Sequence, residues 1–426
     1  MDWSLVIVAL ALLAVASMSK RIAGTPVTPA TLFVAIGLLV GPKVLDELDL
    51  ASSSSTVRTL AEATLALVLF SDASRINLSE LRRDANVPVR LLAIGLPLTI
   101  VLGALAVVPI FDQFSIEEAL ILAIVLAPTD AALGQAVVTE PRVPVRVRQG
   151  LNVESGLNDG ICVPLLFIAV AVADVQSELT GGRDAGTLVF EEIGYGILGG
   201  VVAGLIVFGI LRFAGGRNLI DGGWRFVIPA AGAVLAYGIA VGLDGSGFIA
   251  AFVGGAVFGG LLGRDPAEEN RLVDEVGSAL NGVTFLIFGA ILLGPTLGEV
   301  SWDLVLYAVL SLTVVRMLPV AIAMLGTRAR PVTLAFMGWF GPRGLASIVF
   351  AIIILEESNL PHEQTILMAI YLTVGLSVLL HGATAAPLAK RYGRWYDAHP
   401  QDKSPEMEAA PVTPTRPPKT PAAADS

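Results

Sequence analysis

The sequence predicts an all-α polytopic membrane protein of thirteen transmembrane helices, and three observations carry that expectation. Charged residues make up 15% of the 426, whereas soluble domains carry about 25%. Hydrophobic residues reach 54%, with a mean hydropathy of +0.76. Basic residues gather in every second loop between apolar segments, as they do where a chain crosses and recrosses a bilayer.

Segments of about 20 apolar residues are long enough to span as helices. In order they are 3–19, 25–42, 57–74, 88–110, 116–138, 145–173, 187–212, 224–243, 246–263, 272–294, 302–326, 331–355 and 364–389. The first reads as a retained span rather than a cleaved leader, because Asp2 precedes it and no Lys or Arg does. Residues 393–426 are rich in Pro, Ala, Thr and charge without apolar periodicity, and read as a disordered cytoplasmic tail. The membrane domain would then cover 1–392. Spans 1–6 (about 1–173) and 8–13 (about 224–389) would form two repeats joined by span 7 at 187–212.

Loop charge tests the count. Lys20, Arg21, Arg75, Arg82, Arg83, Arg90, Arg142, Arg146, Arg148, Arg212, Arg217, Arg225, Arg264, Arg271, Arg328 and Arg330 follow odd-numbered spans or lie in the loops after them. Lys390, Arg391, Arg394, Lys403, Arg416 and Lys419 sit in the tail, on the same side. Only Lys43, Arg58 and Arg183 fall in the alternate loops, and Arg316 and Arg343 lie inside spans. The positive-inside rule therefore puts the N-terminus outside and the C-terminus in the cytoplasm, which requires an odd number of crossings.

Composition also narrows the chemistry. One cysteine, Cys162, excludes a disulfide framework or Cys-rich metal site and reads as a packing residue. His362, His381 and His399 show no metal-ligand spacing. No phosphate-binding or dinucleotide-binding glycine motif occurs, so neither nucleotide nor other cofactor is expected. A net charge of -10 disfavours nucleic acid as a partner. Such a protein should run on ion or solute gradients, or be a passive pore.

Ionisable groups inside a bilayer are costly, about 2.5–3.5 kcal/mol each at the centre, so each is a functional hypothesis. Span 5 reads LAPTDAALG, with Pro128, Thr129, Asp130 and Gly134; span 12 reads WFGPRGLAS, with Gly341, Pro342, Arg343 and Gly344. Both should break, since proline removes a helix hydrogen bond and unwound backbone in a membrane must be buried or line a wet cavity. The breaks lie seven spans apart, an odd offset that points corresponding elements in opposite directions, as inverted repeats require. Asp130 would cap the free amides of the break, serve transport, or both. Asp72, at the end of span 3, reads equally as a cavity-mouth ligand and as a solvated helix-end charge.

Span 6 reads NVESGLNDG. Ser155 and Asp159 share one helix face at i, i+4, and offer a hydroxyl and a carboxylate suited to an alkali cation. Glu154 and Asn158 share a second face, rotated by one residue. The expected partner of Glu154 is Arg343, tying span 6 to span 12. Arg316 reads as a paired structural arginine or one that snorkels to the interface. The pairs Gly196/Gly200 and Gly255/Gly259 allow close helix approach, within one chain or between two.

With Thr129-Asp130, Glu154-Ser155, Asn158-Asp159 and Gly341-Pro342-Arg343-Gly344 in place, the chain resembles the first cation:proton antiporter family, of the NhaP sodium/proton type. The likeness runs over about 1–392, and GLDGSGFIAAFVGG at 242–255 adds to it. It implies an NhaA-like antiporter fold with a six-helix core, crossed broken spans 5 and 12, a dimerisation domain and a homodimer. It implies that Asp159 binds ion and proton, that Ser155, Thr129 and Asp72 help hold the transported Na+, and that Asp130, Asn158, Glu154 and Arg343 support them. In such relatives an Asn-Asp pair usually accompanies electroneutral exchange. Many carry Glu or Gly near the position of Asp72, which is a departure here. The expected protein is a secondary active transporter, not an enzyme, in a prokaryotic inner membrane, exchanging sodium or lithium for protons. A potassium/proton antiporter with the same site is the alternative. A cation channel or an inert membrane scaffold accounts less well for Asp159, Asp130 and Arg343.

Overall fold

The computed structural model describes residues 3–22, 24–42, 54–75, 86–176, 185–263, 266–357, 360–398 and 407–409. Among these residues there is no β-strand. The helices are α1 (Ser4–Ile22), α2 (Pro29–Val40), α3 (Ser54–Ser74) and α4 (Asn86–Val107), followed by α5 (Ile116–Val125), α6 (Gln135–Thr139) and α7 (Val145–Gln176). Then come α8 (Ala185–Gly216), α9 (Trp224–Val241), α10 (Gly247–Leu262) and α11 (Arg271–Thr296). The chain closes with α12 (Trp302–Ala323), α13 (Pro331–Trp339), α14 (Leu345–Glu357) and α15 (Glu363–Asp397).

Local sequence explains the helix starts. Thr28 accepts the Thr31 amide with Pro29 at the first helical position of α2, and Ser115 and Glu118 form a reciprocal capping box on α5. Ser246 and Ser301 cap α10 and α12 in the same way. Gly263, at φ +66°, ends α10 in the left-handed region open to glycine. π-Helical turns interrupt α4 at Leu91–Gly95 and α11 at Phe288–Leu293.

Among the described residues, eight helices are long and apolar enough to cross a bilayer: α1, α4, α7, α8, α9, α11, α12 and α15. Their outward faces carry bare apolar side chains such as Leu5, Leu13, Phe213 and Leu306, which in water would be an aggregation surface and in lipid are solvated. Small residues set the interior. A side chain on Gly200 would meet the Ala250 carbonyl of α10, and one on Gly255 or Gly259 would meet the Phe70 or Ser74 carbonyl of α3. The paired glycines are therefore used within the chain.

The two interruptions expected in spans 5 and 12 are present. Helix stops at Val125 and resumes at Gln135; it stops at Trp339 and resumes at Leu345. The breaks touch: the Asp130 N–H donates to the Pro342 carbonyl (2.8 Å), and Ser347 Oγ donates to the Val125 carbonyl (2.7 Å).

Helix α15 runs to Asp397, past residue 392, where the tail was expected to begin. A 3-10 turn, Met407–Ala409, then seats on the helices. Met407 is buried among Leu151, Met324, Phe336 and Tyr392. Glu408 Oε1 accepts the Arg330 amide at the start of α13 (2.9 Å). The remaining tail, with Lys403, Arg416, Lys419 and His399, lies outside the described residues, as do Asp2, Lys43, Arg82, Arg83, Arg183 and Arg264.

Candidate ion-binding site

Residues 126–134 do not continue α5, and Pro128 among them lacks an amide hydrogen and crowds the preceding turn. The break leaves carbonyls unpaired on one side and amides on the other, and both sets find partners. Asp130 Oδ1 accepts the amides of Ala132 (2.7 Å) and Leu133 (3.3 Å), while Oδ2 crosses to the Leu345 amide at the start of α14 (3.0 Å). Arg343 Nη1 donates to the Ala127 and Pro128 carbonyls at 2.8 and 3.1 Å. A carboxylate thus caps amides of both breaks, and an arginine from one break caps carbonyls of the other. Helix-end partial charges decide which sign goes where.

Helix α7 supplies the next layer. Ser155 Oγ donates to the Thr129 carbonyl, and Asn158 Nδ2 donates to Thr129 Oγ1 (2.7 Å). These bonds fix the unwound backbone at Thr129 while leaving lone pairs on both threonine oxygens. Thr129, Asp130, Asn152 and Ser155 line a small pocket of about 20 Å³, room for one water-sized guest.

A larger cavity of about 600 Å³ adjoins it. Asp159, Asp72, Asp130 and Asn152 line its wall, together with Ser71, Gln135 and, from α11, Asp274, Glu275 and Asn281. Asp159 and Asp72 are 8% and 5% exposed. Asp130 and Asn152 border both spaces. The expected residues are therefore gathered in one region, with Ser155 and Thr129 on the small pocket and Asp159 and Asp72 on the large one.

The expected Glu154–Arg343 pair does not form. Glu154 takes a two-point pair with Arg316 of α12, at 2.5 and 2.8 Å, and both side chains are 2% exposed. Glu154 is rotated away from the Ser155 face toward α12, and the Arg343 guanidinium is held at the break carbonyls instead. Arg316 is the paired structural arginine of the two readings kept for it. Cys162 is buried, as a packing residue would be.

Two contributors to the site, Asp274 and Asn281, were not singled out beforehand, and a third, Asn152, stood out among the polar residues of span 6 without a role. Asn152 falls at i, i+3 and i, i+7 from Ser155 and Asp159, so the helical period could have found it. Asp274 accepts from Ser71 Oγ (2.7 Å) and pairs with Arg75, fastening α11 to the end of α3 at the cavity mouth. Asn281 lies two turns further along the same α11 face as Asp274.

Comparison with known proteins bears on the fold and the family. The chain is 28% identical over 264 residues to a Na(+)/H(+) antiporter of Schizosaccharomyces pombe, covering 57% of this chain and 54% of that one. It is 26% identical over 386 residues to the K(+)/H(+) antiporter NhaP2 of Shewanella oneidensis, covering 88% and 64%. It thus spans little more than half to under two-thirds of these relatives' lengths. The fold matches that of the sodium proton antiporter MjNhaP1 from Methanocaldococcus jannaschii, with a TM-score of 0.75 at 20% identity over 92% of this chain and all of that one. The family model described as sodium/hydrogen exchanger, transmembrane, matches residues 7–391, and the chain belongs to that family.

Proposed function

We propose that the protein exchanges a monovalent cation, sodium or lithium, for a proton by letting the two compete for Asp159. The observation that carries this reading is the cavity that reaches from the first turn of α11 to Asp159, beside the unwound backbone at Thr129. Ser155, Thr129 and Asp72 add oxygens suited to a hard cation. Asp130, Asn158, Glu154 and Arg343 hold the frame.

Charge supports a one-for-one stoichiometry. Glu154 is paired with Arg316, and Arg343 stands with Asp130 at the crossed breaks, which leaves Asp159 and Asp72 as the carboxylates on the cavity. One proton or one monovalent cation at Asp159 changes the charge of the site by the same single unit, so the two loads are electrically equivalent. An unneutralised charge at mid-membrane costs about 2.5–3.5 kcal/mol or more, so the loaded states cross and the empty one is held back.

The architecture that goes with this reading has thirteen crossings, with α5–α6 and α13–α14 each counted as one. Two inverted repeats, 1–173 and 224–389, are joined by α8. The N-terminus is outside and the tail in the cytoplasm of a prokaryotic cell membrane, so the cavity described faces inward. Two copies pair as a homodimer in lipid, and the core carrying α4–α7 and α12–α15 moves against the remainder. A potassium reading keeps every residue role, and the long match to a K(+)/H(+) antiporter supports it.

The test is proton movement in proteoliposomes under an imposed pH gradient, with sodium, lithium and potassium added in turn and Asp159→Asn as the blank. Saturable sodium or lithium responses that vanish in the variant sustain the proposal. A response to potassium alone changes the substrate, and silence to all three in folded protein removes the function.

A further inference from the structure

Helix α15 holds the second break much as α7 holds the first. Ser377 and His381 each stand 222 residues after Ser155 and Asp159, with the same i, i+4 spacing on the helix that follows a broken one. Ser155 binds the break at Thr129; Ser377 Oγ accepts the Arg343 amide (2.6 Å). Where α7 carries Asp159, α15 carries His381, which is buried and unused by the exchange chemistry above.

The imidazole is committed at both nitrogens. Nε2 lies 2.9 Å from the Trp339 carbonyl, the last of α13 before the break. Nδ1 lies 3.2 Å from Ser377 Oγ and 3.1 Å from the Ser377 carbonyl. With Nε2 protonated and Nδ1 accepting, donors run in one direction: Arg343 N–H to Ser377, Ser377 O–H to His381, His381 N–H to the Trp339 carbonyl. In that tautomer each donor of the chain meets an acceptor, and the chain joins residues 339 and 343 across the unwound segment. The Trp339 ring is held as well, with centroids 5.0 Å from the imidazole and Nε1 donating to Thr384 Oγ1 (3.0 Å).

We propose that His381 is a positioning residue of the exchange site: by bracing Trp339 and Arg343 it fixes the guanidinium that caps Ala127 and Pro128, and so the placement of Thr129. It acts through Arg343, touches no transported ion, and rests on the antiport reading for its functional consequence.

Two substitutions separate the roles. His381→Leu fills the volume without a donor, whereas His381→Gln keeps an amide N–H at similar reach. In proteoliposomes His381→Leu should raise the half-saturating sodium concentration roughly tenfold, the equivalent of one buried hydrogen bond, and His381→Gln should stay within about twofold of the parent. A merely structural role would lower the maximal rate through lost folded protein and leave half-saturation alone. Amide hydrogen exchange over 340–345, read in the same preparations, is independent of transport: it should quicken in His381→Leu and stay parental in His381→Gln. Unchanged exchange and half-saturation in His381→Leu, or equal defects in both variants, would overturn the proposal. A parent protein silent to all cations removes the antiport reading, and the amide arm still decides whether His381 braces the break. Should His381→Leu fail to fold, Ser377→Ala, which removes the link to Arg343, should quicken the same amides; parental exchange there would refute the brace.

Discussion

Asp130 and Leu345 stand on opposite broken helices and are joined by one hydrogen bond, from the Leu345 amide to Asp130 Oδ2 at 3.0 Å. Because Oδ1 caps two further amides of its own break, one carboxylate stabilises both interruptions. Asp130→Ala should cost about 2–4 kcal/mol, with three amides losing an ionised acceptor. Asp130→Asn, which keeps an acceptor, should cost less. Thermal unfolding in detergent checks the order, and equal losses would contradict it.

Gly344 leaves the space that Asp130 occupies, since a Cβ there would collide with the carboxylate. Gly341 does the same for the Arg316 side chain. Gly344→Ala and Gly341→Ala should each lower the folded yield or the exchange rate about tenfold or more, as overpacking of a filled site does. Retained yield and rate in both would show that the crossing can yield.

Glu154 and Arg316 form a pair whose loss should depend on which partners are removed. Glu154→Gln or Arg316→Ala strands a buried charge, at about 3–5 kcal/mol. The double variant Glu154→Leu, Arg316→Met should be closer to the parent than either single change. A double-mutant cycle on unfolding temperature measures this, and additive losses would mean that the pair is not coupled.

Competition at Asp159 fixes the sign of the pH dependence. A proton excludes the cation, so half-saturating sodium should rise as pH falls, by tenfold per unit once the carboxylate is mostly protonated. At high pH the carboxylate is already ionised and the curve should flatten. Initial rates at several pH values give the slope, and a pH-independent half-saturation would exclude a shared site.

Glu408 caps the start of α13 from the tail. Glu408→Ala should reduce stability by about 1 kcal/mol, as loss of a helix cap does, while half-saturating sodium stays unchanged. A calorimetric scan together with a transport assay tests both halves.

Much of the helical framework could be read beforehand, because apolar runs, capping residues and Pro-Gly interruptions are local signals. The break at Thr129 and the Ser155 face of α7 followed from proline chemistry and helical spacing. The partner of Glu154 did not. Arg316 and Arg343 are equally basic residues in apolar stretches, and the choice depends on how α7 is rotated against α12, which no local period encodes. Asp274 escaped for another reason: a carboxylate in a first helical turn looks like an ordinary helix-start charge until α3 is packed beside it. The seat of Met407–Ala409 is too short to show periodicity and stands in a Pro-rich stretch whose composition reads as disordered.

The pairing of Glu154 with Arg316 also sets a problem in time for the ribosome. The partners are 162 residues apart, so at about 5–20 residues per second the carboxylate waits roughly 8–30 s for its arginine. During that interval α8, α9, α10 and α11 are made, and Glu154 must be protonated or drawn toward a headgroup region. Nascent chains halted before residue 302 therefore carry Glu154 without its arginine, and their clearance should depend on that acid. Glu154→Gln should lengthen the lifetime of such halted chains while shortening that of the full-length protein.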